Sequence, residues 1–280
     1  MKIGFIGAGN VGCSLGRYLK HNQAMVAGYY SRSRESAKEA AELTDTAQFD
    51  TIEEIVKMCD TLFLTVPDGQ IAEVWNQVKS FPIEGKVICH CSGAMSAEVF
   101  SGIHEQGAYG YSIHPMFPFN SKTIPYDSLQ TAFISVEGDA ERRDELAALF
   151  ESFGNPVKVL DGKDKTSYHA AAVMASNQVV ALMEMAVDLL GTCGFTEKQA
   201  LQAIKPLAEK NLANILAVGT TDALTGPVER NDVQTVRKHL AEFNEEQKAV
   251  YKACSKMLLH ITERKYPKRD ENEMKELLEE

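Results

Sequence analysis

Through the first part of the chain, short apolar runs alternate with longer stretches in which apolar residues recur every three or four positions. The runs predict strands at 2–7, 24–30, 47–49, 60–66, 86–91, 109–113, 132–136 and 157–160. Between them the spacing predicts helices from a glycine turn to about residue 20, then at 34–43, 51–58, 70–78 and 140–153. The runs at 2–7 and 60–66 are nearly apolar throughout, as strands covered on both faces are. Strands alternating with helices imply a mostly parallel, doubly wound α/β sheet of Rossmann type, with helices on both faces. After residue 163 the pattern changes to helices alone, expected at 167–191, 197–218 and 232–263, with a short charged helix in the tail. The polar loop Asp161-Gly162-Lys163-Asp164 marks the expected boundary. It divides an α/β domain at 1–163 from an all-α domain at 164–280. The tail at 265–280 is highly charged and is expected to be a solvated end.

The most apolar long stretch, 170–190, still carries Ser176, Asn177, Gln178, Glu184 and Asp188. So many polar groups argue against a bilayer span and for a buried helix. Small residues on nearly all of its sides predict burial both within and between subunits, and hence a homodimer. The chain opens directly on a strand, without a charged leader, so no secretory signal is expected and a cytoplasmic location follows. The net charge is −10 over 280 residues, with no basic run. That balance disfavours nucleic acid and anionic membranes as partners. It also means that an anionic ligand must be held by local positive groups. None of the six cysteines forms a CxxC pair. Cys89 and Cys91 flank His90 on one strand without further ligands nearby, so no metal is expected. The cysteines are read as small buried side chains in a reducing compartment.

Gly7-Ala8-Gly9-Asn10-Val11-Gly12 fits G-x-G-x-x-G directly after the first strand and at the start of a helix. In that setting Gly7 serves the tight turn, Gly9 the approach of a pyrophosphate and Gly12 the packing of helix on strand. The helix N-terminus adds unpaired N–H groups and partial positive charge. At the end of the second strand, a carboxylate would bond the ribose 2′-hydroxyl of NAD. The chain has Ser31-Arg32-Ser33-Arg34 instead. Guanidinium and hydroxyl groups suit a 2′-phosphate, so the expected cofactor is NADP. Ser31 and Ser33 have a second reading as helix caps. Val66-Pro67-Asp68 ends the fourth strand at the sheet's carboxyl edge, where such sheets bind ligands.

Three segments are candidates for the substrate side. Cys91-Ser92-Gly93-Ala94 follows a strand: Ser92 offers a hydroxyl and Gly93 close approach, or Ser92 caps a turn. His114-Pro115-Met116-Phe117-Pro118-Phe119 places a histidine after the next strand, as an acid or carboxylate partner, with two phenylalanines to wall a pocket. The long helix carries His169, Ser176 and Asn177, and residues 169, 173 and 177 form one stripe. Arg230, in the loop Thr225-Gly226-Pro227-Val228-Glu229-Arg230-Asn231-Asp232, is a possible anion clamp.

With these motifs the chain resembles Rossmann-like proteins with a second domain of the type called DUF2520. The resemblance covers nearly the whole chain, through the glycine turn, Val66-Pro67-Asp68, His90-Cys91-Ser92-Gly93-Ala94, His114-Pro115-Met116, His169 with Ser176-Asn177, and Ala223-Leu224-Thr225-Gly226-Pro227 with Arg230 and Asp232. It implies kinship with the 6-phosphogluconate dehydrogenase-like and ketopantoate reductase group, in which a Rossmann domain precedes a helical dimerising domain. The implied activity is NADPH-dependent reduction of a small 2-oxo acid, ketopantoate first, as a step of pantothenate biosynthesis. Prephenate-type dehydrogenation and pyrroline-carboxylate-like imine reduction remain open. So do an NADP sensor without turnover and a deazaflavin-NADP reductase. On this reading His169, His114 and Asn177 are catalytic candidates, and Ser92, Gly93, Ser176 and Arg230 bind substrate. The chain departs from the group at Val173, where β-hydroxyacid dehydrogenases place a catalytic lysine.

Overall fold

The computed structural model describes residues 1–279, which form one compact unit, Met1–Ser176, and a second beginning at Asn177. In the first unit the strands are β1 (Lys2–Ile6), β2 (Met25–Tyr30), β3 (Ala47–Gln48), β4 (Thr61–Leu64), β5 (Val87–His90), β6 (Tyr109–Met116), β7 (Phe133–Gly138) and β8 (Val157–Val159). The helices are α1 (Asn10–His21), α2 (Arg34–Thr44), α3 (Ile52–Met58), α4 (Asp68–Val78), α5 (Tyr126–Gln130), α6 (Ala140–Ser152) and α7 (Lys165–Ala175). The strands form one sheet in the order β3-β2-β1-β4-β5-β6-β7-β8, antiparallel only between β6 and β7. The strand order reverses between β1 and β4, and the crevice above that pair is where such sheets take ligands.

Alternation along the strands builds two cores. Leu62 and Leu64 of β4 face Ile55, Ile71 and Trp75 of α3 and α4, while Phe63 between them faces the opposite cluster with Leu15 and Leu19 of α1. Phe5 stacks between Tyr29 and Phe63, ring centroids 5.2 and 5.4 Å away, tying three adjacent strands together.

Strand β6 runs past the expected end at residue 113, so His114, Pro115 and Met116 belong to the strand. Its pairing with β5 stops at Ser112, whereas its pairing with β7 continues through Met116. Beyond Ser112 one side of β6 is an edge, and there the missing N–H of Pro115 breaks no ladder. Cys13, Cys59 and Cys89 are buried as expected, but Cys193 and Cys254 are exposed.

The second unit contains α8 (Asn177–Thr192), α9 (Glu197–Ala223), α10 (Val233–Glu242), α11 (Glu245–Lys265) and α12 (Asn272–Glu279). Two expected helices are each divided. The helix expected at 167–191 breaks at Ser176 (φ −126°, ψ −76°), whose hydroxyl donates to the carbonyl of Ala172. The stripe through 169 and 173 therefore does not carry on to Asn177. The helix expected at 232–263 breaks at Phe243, because Asn244 and Gln247 form a capping box that starts α11. The tail is also more than the solvated end expected of it. Met274, Leu277 and Leu278 of α12 are buried with Val236, Leu240 and Leu259. Charges between them had masked a helical apolar spacing.

Helix α8, expected to be buried, is at least partly exposed at every residue in the single chain, Val179, Val180 and Leu182 among them. The segment Gly162–Thr192 is long and apolar enough by composition to cross a membrane, but it is interrupted at Ser176.

Candidate functional site

The glycine turn after β1 is shaped as its pattern requires. Gly7 has φ +113°, and a side chain there would meet the carbonyl of Thr65 at 2.6 Å. At Gly12 a Cβ would lie 2.3 Å from Thr65 Oγ1 and 2.5 Å from the Gly7 carbonyl. Gly9 is different: nothing lies within 4 Å of where its Cβ would be. Two glycines are thus demanded by the protein's own packing and the third opens toward a cleft. Gly9 is also the N-cap of α1, with no side-chain cap and no acidic residue in the first turn, so the amide groups there remain available to an anion.

The cleft is lined by Gly7, Ala8, Gly9, Ser31, Arg32, Ser33, Thr65, Val66 and Pro67 and holds about 390 Å³. Those residues fit a dinucleotide with an extra phosphate: apolar walls, an open helix N-terminus and one exposed guanidinium at the end of β2. The four residues at 31–34 do not act alike. Arg34 is turned to Asp50, 2.6 Å away on the surface, and Ser33 caps α2 through the Ser36 amide while donating to Glu35. Arg32 and Ser31 are left as the groups facing the cleft.

The other residues of the turn look toward the substrate side. Asn10 donates to the carbonyl of Phe119, Ser14 to that of Ser121 and Arg17 to that of Ile124. One face of α1 thereby straps down the loop after β6. The strapped loop brings Phe117 and Phe119 to Val11, Cys91, His114 and Pro115 around a second cavity of about 240 Å³.

Gly93 is the meeting point of the two histidines singled out in sequence. A Cβ there would sit 2.7 Å from Cδ2 of His169 and 2.9 Å from Nε2 of His114, so only glycine admits both rings. The rings are nearly perpendicular, with centroids 6.5 Å apart. His114 Nδ1 lies 2.9 Å from the Tyr168 hydroxyl. Burial, reinforced by the nearby Lys165 and His169, lowers the His114 pKa to about 4, against the pull of Asp68. At neutral pH the ring is uncharged. Burial does the same to His90, also to about 4, under the sheet edge.

Ser92 is committed within the fold. Its hydroxyl donates to Asp68 at the start of α4 and accepts the amides of Ala94 and Met95. It builds the turn that exposes Gly93, and the substrate contact expected of it has no free hydroxyl to rest on.

Lys165 was not singled out in the sequence. It opens α7, is 1 % exposed, and donates to the Ser92 carbonyl at 3.1 Å and to Ser112 Oγ at 2.8 Å. It joins the turn after β5 to the middle of β6. Burial lowers its pKa to about 8 although Glu137, Cys91 and Asp68 favour the charge. The sequence did hold a signal. Residues 165, 169 and 173 form one i, i+4, i+8 stripe, so a lysine stands on the same helical face as Val173, two turns earlier. Ser176 ends the first unit and Asn177 begins the second; Arg230 is exposed in the second unit, in the loop before α10.

Comparison with known proteins agrees with this architecture. Residues 1–115 match the Rossmann-like domain model, and residues 132–258 match a domain of unknown function, DUF2520. No curated protein matches the chain by sequence. Among solved structures, a Thermotoga maritima protein is 27 % identical, covers 94 % of this chain and 99 % of its own, and superposes with a TM-score of 0.74. A reductive aminase from Aspergillus terreus, solved with NADPH and ethyl levulinate, is 15 % identical over 96 % of this chain and 99 % of its own, TM-score 0.67. Plasmodium falciparum pyrroline carboxylate reductase, solved with NADP, is 14 % identical over 94 % and 95 %, TM-score 0.60. The chain thus joins a Rossmann-like domain to a DUF2520 domain.

Proposed function

We propose that the protein is an NADP-dependent oxidoreductase that reduces a small carbonyl or imine compound. The observation that carries this reading is the convergence of His114 and His169 over Gly93, on the same sheet edge as the cleft with the glycine turn and Arg32. Polar side chains gathered at that edge favour turnover over a purely sensing role. Gly7, Ala8, Gly9 and the first amides of α1 receive the pyrophosphate. Arg32 and Ser31 meet the 2′-phosphate, and Val66 and Pro67 lie along the cofactor. When bound, NADPH supplies the hydride.

The chain's own groups then have separable tasks. Gly93 lets the substrate approach, and Phe117 and Phe119 exclude water. A ring nitrogen of His114 or His169 faces the oxygen or nitrogen that gains the proton. Lys165 ties the turn after β5 to the middle of β6 and supplies positive potential there. On the resemblance described above, Asn177 is assigned a catalytic role and Arg230 substrate binding. Exposed apolar residues on α8 and α9, such as Val180 and Leu216, support a homodimer; a monomer in gel filtration at working concentration would remove that part.

A 2-oxo acid, ketopantoate first, is the carbonyl substrate to try. Reduction of C=N is the second reading, favoured by the structural likeness to a reductive aminase and to pyrroline carboxylate reductase. NADPH consumption with ketopantoate, pyrroline carboxylate and a keto ester plus amine tests both, with prephenate and NADP as the oxidative control. Turnover of a carbonyl or imine is expected. Tight NADPH binding without turnover of any of these would overturn the reductase reading.

A further inference from the structure

Tyr168 has no part in the scheme above, yet its placement is specific. It lies on α7 between Lys165 and His169, and its hydroxyl reaches the pair of residues that face each other across β6 and β7, His114 and Ser135. The Tyr168 and His114 rings meet edge to face, at 90° and 5.5 Å between centroids. The hydroxyl takes the Nδ1 side of the imidazole, and Nε2 lies over Gly93.

A hydrogen bond between a phenol and a neutral imidazole has two forms. In one the phenol donates to a bare ring nitrogen; in the other a ring N–H donates to the phenol oxygen. A phenol, with a pKa near 10, is the better donor, and an unprotonated imidazole nitrogen is the better acceptor. Lys165 favours the same form: its ammonium lies 5.5 Å from the centroid of the Tyr168 ring, drawing electron density from the phenol and repelling a positive imidazolium. Burial keeps Tyr168 protonated, raising its pKa, so the donor is present at working pH.

We infer that Tyr168 fixes the tautomer of His114, with the ring proton on Nε2, so that a neutral N–H is presented over Gly93 to the oxygen or nitrogen of a substrate. Tyr168 is then a positioning residue, acting through His114. The inference rests on the reductase reading only for the identity of the acceptor. The same arrangement selects acceptors: an uncharged carbonyl oxygen or imine lone pair accepts from the N–H, whereas an already protonated iminium offers no lone pair.

The test is the ¹⁵N spectrum of the full-length protein labelled at histidine, with the His114 signals identified by their loss in His114→Gln. The native protein should show a protonated Nε2 and an unprotonated, hydrogen-bonded Nδ1. Tyr168→Phe should give a mixture of tautomers. Its kcat should fall on the order of tenfold, less than the roughly 10²–10⁴-fold that a positioned proton donor contributes, because His114 itself stays in place, with NADPH affinity unchanged. A native His114 protonated at Nδ1 would overturn the inference, and so would an unaltered tautomer in Tyr168→Phe. The native spectrum needs no variant of Tyr168, so a misfolded variant does not decide the matter. A wrong tautomer sinks the inference while leaving the reductase reading intact. Absence of turnover with the expected tautomer does the reverse.

Discussion

The nucleotide cleft and the histidine pocket lie along one sheet edge but are built from different materials. The cleft is made by backbone: a glycine with a positive φ, a second that accommodates Thr65, a third open to ligand, and the amides of one helix. The pocket is made by side chains from α4, the turn after β5, β6 and α7, whose hydrogen bonds and charges bear on one another. A backbone site fails through shape and is indifferent to pH. A side-chain site fails through charge.

The largest expected effect breaks the cleft. In Gly7→Ala the new methyl would have to clear the Thr65 carbonyl in a left-handed conformation. Backbone strain of that kind costs about 1–3 kcal/mol. The variant should lose NADPH binding altogether in a fluorescence titration and melt at lower temperature. Unchanged binding would show that the turn does not carry the cofactor.

Acid should act on the pocket side. His90 and His114 titrate near 4 in the fold and near 6.5 when unfolded. As pH falls from 6.5 toward 4 the unfolded chain takes up protons that the folded one refuses, so stability declines. Each histidine contributes up to about 1.4 kcal/mol per pH unit in that window. Lys165 acts at the other end. Its lowered pKa means that its burial cost is present below about 8 and is relieved as pH rises toward the ordinary lysine value. Denaturant melts from pH 4 to 8 check the acid side, and His114→Gln should show a shallower decline than the native protein.

The smallest effects separate two neighbouring arginines. Arg32→Ala should weaken NADPH about tenfold and leave NADH nearly unaffected, the scale of one charge-assisted contact. Arg34→Ala should change NADPH affinity less than twofold, because an exposed ion pair with Asp50 already occupies that guanidinium and is itself worth about 0–1 kcal/mol. Equal losses in the two variants would mean that Arg34 leaves Asp50 on binding.

The same division explains what the sequence disclosed. The spacing of the glycine turn is local, so consecutive residues announce it, although Thr65, 58 residues on, is what Gly7 and Gly12 pack against. His114 and His169 were each visible as polar residues in apolar surroundings, but their meeting at Gly93 depends on where β6 ends and α7 docks. The role of Lys165 is not legible in the sequence, because a lysine in the first turn of a helix ordinarily points to water. Its burial follows from long-range contacts with Ser92 and Ser112. The break at Ser176 was hidden as well, since no proline or glycine marks it and the serine hydroxyl bonds back to the helix.

The bonds of Lys165 also impose an order on synthesis and folding. Its two acceptors lie 73 and 53 residues earlier in the chain. Contacts that distant close large loops and form after local ones. The residues of the nucleotide turn, from Gly7 to Thr65, are all made before residue 165, and the ammonium finds its partners only once β5 and β6 lie side by side. Until then the pocket that the lysine completes is unfinished.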